Sequence, residues 1–147
     1  MSNEVTKYSE EISSKLELSM NKKCLITGIL MGVLAVVLGA FAAHGLENKI
    51  SVDAQQTFET GAKYQMYHAL LLLLIGQIDK ISNKAKNYLC ALILTGVLFF
   101  SGSIYLLATN NLTDFDFKVI GFITPIGGLF LIISWLFFGF KIIKIKQ

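Results

Sequence analysis

Arginine is missing from this chain: all thirteen of its basic residues are lysines. Recognition of phosphates and base edges leans on arginine's planar fork, so a nucleic-acid partner is not expected. Cysteine is scarce too. Cys24 and Cys90 are too few for a disulfide framework, and neither belongs to a CxxC pair. Charge is the third deficit, at 16% of residues against 54% hydrophobic ones, with a single proline in 147 residues. A soluble domain of this length carries about a quarter charged residues. The balance excludes a disordered chain, a secreted disulfide scaffold and an ordinary soluble enzyme domain.

The hydrophobic excess is collected into blocks. Residues 24–43, 64–78, 87–113 and 119–140 contain no Asp, Glu, Lys or Arg. About 20 helical residues cross a bilayer core of ~30 Å. The expected fold is therefore all-α, a bundle of four transmembrane helices spanning about 24–43, 62–78, 88–108 and 119–140. The second span is the shortest and opens with Lys63, whose long stem can carry its charge to the headgroups. A cleaved signal peptide is not expected, because the first apolar run is long and follows a mixed-charge leader of over twenty residues.

Lysines set the orientation, since basic residues resist translocation. Lys7, Lys15, Lys22 and Lys23 precede span one. Lys80, Lys84 and Lys86 join spans two and three, and Lys141, Lys144 and Lys146 form the tail. Only Lys49, Lys63 and Lys118 fall on the other side. Both termini are expected in the cytoplasm, with the protein in the cytoplasmic (inner) membrane. Tyr88 and Trp135 then mark the inner headgroup level, and Tyr64, Tyr67 and Tyr105 the outer one. The same topology puts Cys24 and Cys90 at the reducing inner end, as small packing residues and not as a bridge.

Three domains follow: a polar leader, 1–23; the membrane domain, 24–140; and a basic tail, 141–147. In the leader, Val5, Tyr8, Ile12 and Leu16 recur every three or four residues, the spacing of a thin apolar helical stripe. An interfacial helix and a loosely ordered leader both fit it. Ser51 reads as an N-cap with Asp53 in the first turn, starting a helix that can continue into span two. The short polar connection 79–87 makes spans two and three an antiparallel hairpin.

Helices in lipid associate through close backbone approach, because the tails are as apolar as leucine. Gly28, Gly32, Ala35, Gly39 and Ala42 form a small-residue seam along span one, which marks it as the central packing helix. In span four, Pro125 should free the Gly121 carbonyl and kink the helix, with Gly127 and Gly128 beside it. Gly102 lies in a Ser101-Gly102-Ser103 cluster suited to interhelical hydrogen bonding.

Ionisable groups inside a membrane are functional candidates by default. His44 ends span one, and His68 lies one to two turns into span two on a face shared with Gln65. If these spans pack together the two imidazoles could approach, with Glu59 and Lys63 at the rim and Ser101 and Ser103 across from them. Hydrogen-bonded structural histidines, a pH sensor and a metal site all fit that pattern, although two histidines lack a coordination set. No Ser-His-Asp set, phosphate loop or paired carboxylate occurs within a span. No enzyme, cofactor or metal is expected. The partners expected are the lipid bilayer and a second copy or another membrane protein.

Four stretches in order, GAFAAHGL, FETGAKYQMYHALLLL, LFFSGSIYLLA and ITPIGGLFLIISW, resemble the motifs of the YgdD/YwdK family of small bacterial multi-pass membrane proteins, a domain of unknown function. The resemblance covers roughly residues 24–140 and implies a four-helix protein of the cytoplasmic membrane, without an activity. Its motif positions fall here on Gly39, His44, Gly45, Gly61, Tyr64, Gln65, His68, Ser101, Gly102, Pro125, Gly127 and Gly128. The chain departs from the pattern at Ala42, where the family usually has glycine, and in its longer leader. The expected role is a structural or accessory membrane component. The alternatives are a subunit of an oligomeric small transporter or channel, and a histidine-based pH or metal sensor.

Overall fold

A computed structural model describes residues 4–9, 12 and 20–145. Four long helices fill it: α1 (Lys22–Ala40), α2 (Val52–Gln77), α3 (Asn83–Ala108) and α4 (Ile123–Ile143). Each of the first three begins on a polar side chain that accepts a backbone N–H: Asn21 from Cys24, Ser51 from Ala54 and Ser82 from Ala85. Such caps satisfy donors that the first helical turn leaves open. Ser51 and Asp53 stand where the sequence predicts, and α2 runs unbroken to Gln77, one residue short of the end of its apolar block.

Among the described residues, three segments are long and apolar enough to cross a membrane: Lys22–Gly45, Asn83–Ala108 and Phe117–Ile143. Helix α2 is not among them. The reason is visible in its packing. It lies between α1 and α3, so its inward positions hold Gln65 and His68, both buried. Its first turns, VDAQQTFET, are polar.

Helices α2 and α3 form the middle of the bundle, with α1 docked on α2 and α4 on α3. Span one is therefore not the central helix. Ile26, Ile29, Leu30, Val33, Leu34, Val36 and Val37 are all exposed on it. A helix docked on one side leaves its other faces to lipid, which their apolar character suits.

The seam on α1 is also less continuous than its spacing implies. At Gly28 a Cβ would lie 2.9 Å from the Ala69 carbonyl oxygen, whereas at Gly32 it would make an ordinary 3.8 Å contact with the Ala69 Cβ, and at Gly39 it would meet nothing within 4 Å. Ala35 and Ala42 are buried. A run spaced about 3.5 residues on average drifts around a helix of about 3.6 residues per turn, so one straight partner does not meet every member. A closer backbone approach lies elsewhere. At Gly127 a Cβ would collide with the backbone of Phe99 and Phe100, while Gly128 has only ordinary contact with the Phe100 ring and Gly102 has open space.

Pro125 does not kink α4. Residues 117–120 form a separate 3-10 turn and the helix starts at Ile123. Pro125 thus occupies the first turn, where its missing N–H would have no intrahelical partner and its fixed φ suits the helix. In the leader, residues 4–9 and 12 are helical, with Val5, Tyr8 and Ile12 exposed; Leu16, the last member of the stripe, lies outside the described residues.

Candidate functional site

The buried polar residues gather in two places: a crossing point midway along the helices, and a knot at the end where α1 begins. At the crossing point Gln65 ties three helices together. Its amide Nε2 donates to the Met31 carbonyl on α1 at 2.9 Å, and its Oε1 accepts from the Tyr105 hydroxyl on α3 at 3.0 Å. Gly61 makes room for that arrangement, since a Cβ there would lie 2.7 Å from the Tyr105 ring. Phe58 completes the wall, its ring 4.6 Å from that of Tyr105 and 6.2 Å from that of Phe41.

One turn further along α2, His68 is 4% exposed. Its Nδ1 lies 2.7 Å from the Tyr64 carbonyl oxygen, and Trp135 Nε1 on α4 lies 3.2 Å from its Nε2. A carbonyl only accepts and an indole N–H only donates. Both imidazole nitrogens are therefore satisfied in one neutral form, protonated on Nδ1. Trp135 was expected at the inner headgroup level and His68 near the outer end; the contact puts them at one depth. The discrepancy arises because α2 begins at Val52 and α4 at Ile123, so both residues lie near the middle of their helices.

His44 takes no part in this. It sits exposed on a short π-helical turn, Phe41–Gly45, and makes no hydrogen bond or ring contact with His68. The turn has its own support from α2, where Gln55 Nε2 donates to the Ala42 carbonyl at 3.0 Å. Glu59 and Lys63 form an exposed ion pair at 3.5 Å. They border an open groove of about 380 Å³ that also exposes Gly39 and Ala43. Ser103 bonds back to the Phe99 and Phe100 carbonyls and across to the Thr124 hydroxyl at 2.6 Å. Ser101 is fully buried, and among the described residues its hydroxyl has no hydrogen-bond partner. Among the described residues, no three His, Cys, Asp or Glu side chains gather closely enough to hold a metal ion.

The knot at the other end carries no recognisable motif in the sequence. The Asn21 backbone N–H donates to the Gly76 carbonyl at 2.9 Å, and its side-chain amide reaches Asn83 Oδ1 at 3.2 Å and Asn87 Oδ1 at 2.8 Å. Charge counting places Lys86 on the cytoplasmic surface. It is 0% exposed, with Nζ donating to the Gly76 carbonyl at 3.2 Å. A cation on the last carbonyls of a helix is favourable, because they carry the negative end of its dipole. The available signal was the polar run SNKAKN at the start of α3, which charge counting alone reads as a solvated face.

The model of a family described as "Protein of unknown function (DUF423)" matches residues 38–128. A UPF0382 membrane protein of Staphylococcus saprophyticus is 44% identical over 115 residues, covering 78% of this chain and 92% of that protein. The UPF0382 membrane protein YwdK of Bacillus subtilis is 41% identical over 117 residues, 78% of this chain and 91% of YwdK. A UPF0382 membrane protein of Haemophilus influenzae is 37% identical over 128 residues, 87% and 99% of the two chains. No solved structure matches.

Proposed function

The chain belongs to the DUF423 family, whose UPF0382 members are membrane proteins of unknown function, and on that premise we propose a non-enzymatic structural or accessory component of the cytoplasmic membrane. One observation carries this reading. Gln65 and His68 at the crossing point, and Ser103 towards the end of α3, direct their hydrogen bonds to groups of the same chain, joining α1, α2, α3 and α4. Groups engaged in holding helices together are not poised to transfer protons or bind a substrate.

The proposal includes four spans, with α2 crossing beside its neighbours, and both termini in the cytoplasm. Antiparallel succession supports it. Asn21, Gly76, Asn83 and Asn87 meet at one end, and Lys80 and Ser82 share a groove with Lys141 and Lys144. That end collects the lysines, as cytoplasmic ends do.

Affinity purification from native membranes tests the accessory role: specific, stoichiometric membrane-protein partners are expected. A chain recovered alone, with a rate of solute flux in liposomes that rises with its amount, would replace this reading with the transport one. Labelling a Val52→Cys variant in a background with both native cysteines changed to serine tests the sidedness. Reaction from the outer face is expected; reaction from the cytoplasm would reverse it.

A further inference from the structure

The chain's two cysteines stand far apart in sequence, yet folding brings them together. Both are free and buried, Cys24 on α1 and Cys90 on α3. Both belong to one buried cluster, the Cys24 thiol donates to the Lys86 carbonyl oxygen at 3.4 Å, one helical turn before Cys90, and Cys90 in turn stands beside Lys23 and Thr27 on α1. The placement is held on both sides. Asn21 ties the start of α1 to Asn83 and Asn87 on α3, and its side-chain oxygen caps the Cys24 N–H.

The two sulfurs differ in access. Cys24 is fully enclosed, whereas Cys90 lines an open groove of about 490 Å³ together with Lys23, Thr27 and Asn87. A small polar reagent can enter such a groove and meet Cys90 first, with Cys24 waiting beside it. That is the arrangement of an attacking thiol and a resolving thiol.

We infer that Cys24 and Cys90 form a dithiol site oxidised by hydrogen peroxide to an intramolecular disulfide that ties α1 to α3. The Cys90 sulfur attacks one peroxide oxygen, the O–O bond breaks, and Cys90 becomes a sulfenic acid with release of one water. The Cys24 sulfur then displaces the sulfenic hydroxyl, forming the S–S bond and a second water. Two thiols lose two electrons and two protons; one peroxide gains them. A small thiol reverses the reaction by exchange. Helix α1 otherwise touches α3 sparingly, so the bridge adds a covalent link where the bundle has few contacts.

The test uses the full chain in liposomes, exposed to hydrogen peroxide, denatured, and read by maleimide labelling and intact mass. The number of alkylatable thiols should fall from two to zero in a monomer that has lost two hydrogens, and dithiothreitol should restore both. Cys24→Ser should leave a Cys90 sulfenic acid that dimedone captures, and Cys90→Ser should leave Cys24 unreacted. The wild-type mass decides the matter even if a serine variant fails to fold. Two thiols still alkylatable after peroxide, sulfinic or sulfonic products without a bridge, or a bridge between two copies on a non-reducing gel would each overturn the inference.

Discussion

Trp135 Nε1 donates to His68 Nε2 across 3.2 Å, joining α4 to α2 although those helices have little other contact. The bond also selects the imidazole's tautomer, because an indole has no lone pair to offer in return. His68 should therefore show the Nδ1–H form in nitrogen NMR of the labelled protein. Trp135→Phe removes the donor to Nε2 but leaves the Tyr64 carbonyl on Nδ1, so the Nδ1–H form should persist while the Nε2 resonance moves to that of an unbonded nitrogen. An Nε2 resonance unchanged in that variant would mean that the indole does not donate to the ring.

Gly127 lets α4 rest directly on the backbone of Phe99 and Phe100. Gly127→Ala should destabilise the bundle by about 1–3 kcal/mol, the usual range for overpacking, since backbone cannot rotate away as a side chain can. Gly128→Ala, one residue on, should be nearly silent. Denaturation of the two variants in mixed micelles checks the contrast, and equal losses would refute the close approach.

The docking of α1 on α2 makes a similar graded prediction. Gly28→Ala should loosen it, because the added carbon meets the Ala69 carbonyl oxygen, while Gly32→Ala and Gly39→Ala should leave the midpoint where it is. A larger loss at Gly39 than at Gly28 would show that the helices cross elsewhere.

Gln65 bridges Met31 and Tyr105. Tyr105→Phe should cost about 0.6–1.7 kcal/mol, from the average to the maximum found for interhelical hydrogen bonds in a membrane protein. Combined with Gln65→Leu in a double-mutant cycle, the two changes should be less than additive. Strict additivity would mean that the hydroxyl and the amide do not interact.

Much of this architecture was legible residue by residue. Ser51 and Asp53 announced the start of α2, and the charge-free blocks located the apolar helices, because caps and hydropathy are local properties. The crossing point was only half legible. Gln65 and His68 stood out as polar residues in an apolar context, but Trp135 was read as an interfacial ring and Lys86 as a surface charge. Each of those readings follows average preferences of a residue type, and each failed where a specific partner on another helix outweighed the average. Pro125 misled for a different reason: its effect depends on whether the helix has begun, and a helix start that no side-chain cap marks, preceded by a 3-10 turn, is hard to read from sequence.

The long charge-free runs by themselves pointed to helices in a membrane, because about 20 consecutive apolar residues match the thickness of a bilayer core and a helix satisfies its own backbone there. Which helices stand in the middle was decided only by the tertiary structure. So were the gathering of Cys24 and Cys90 into one buried cluster, the pairing of His68 with Trp135, and the burial of Lys86 on Gly76. Those outcomes depend on the rotation and depth of each helix relative to the next, which interlocking side chains fix and no one-dimensional pattern encodes.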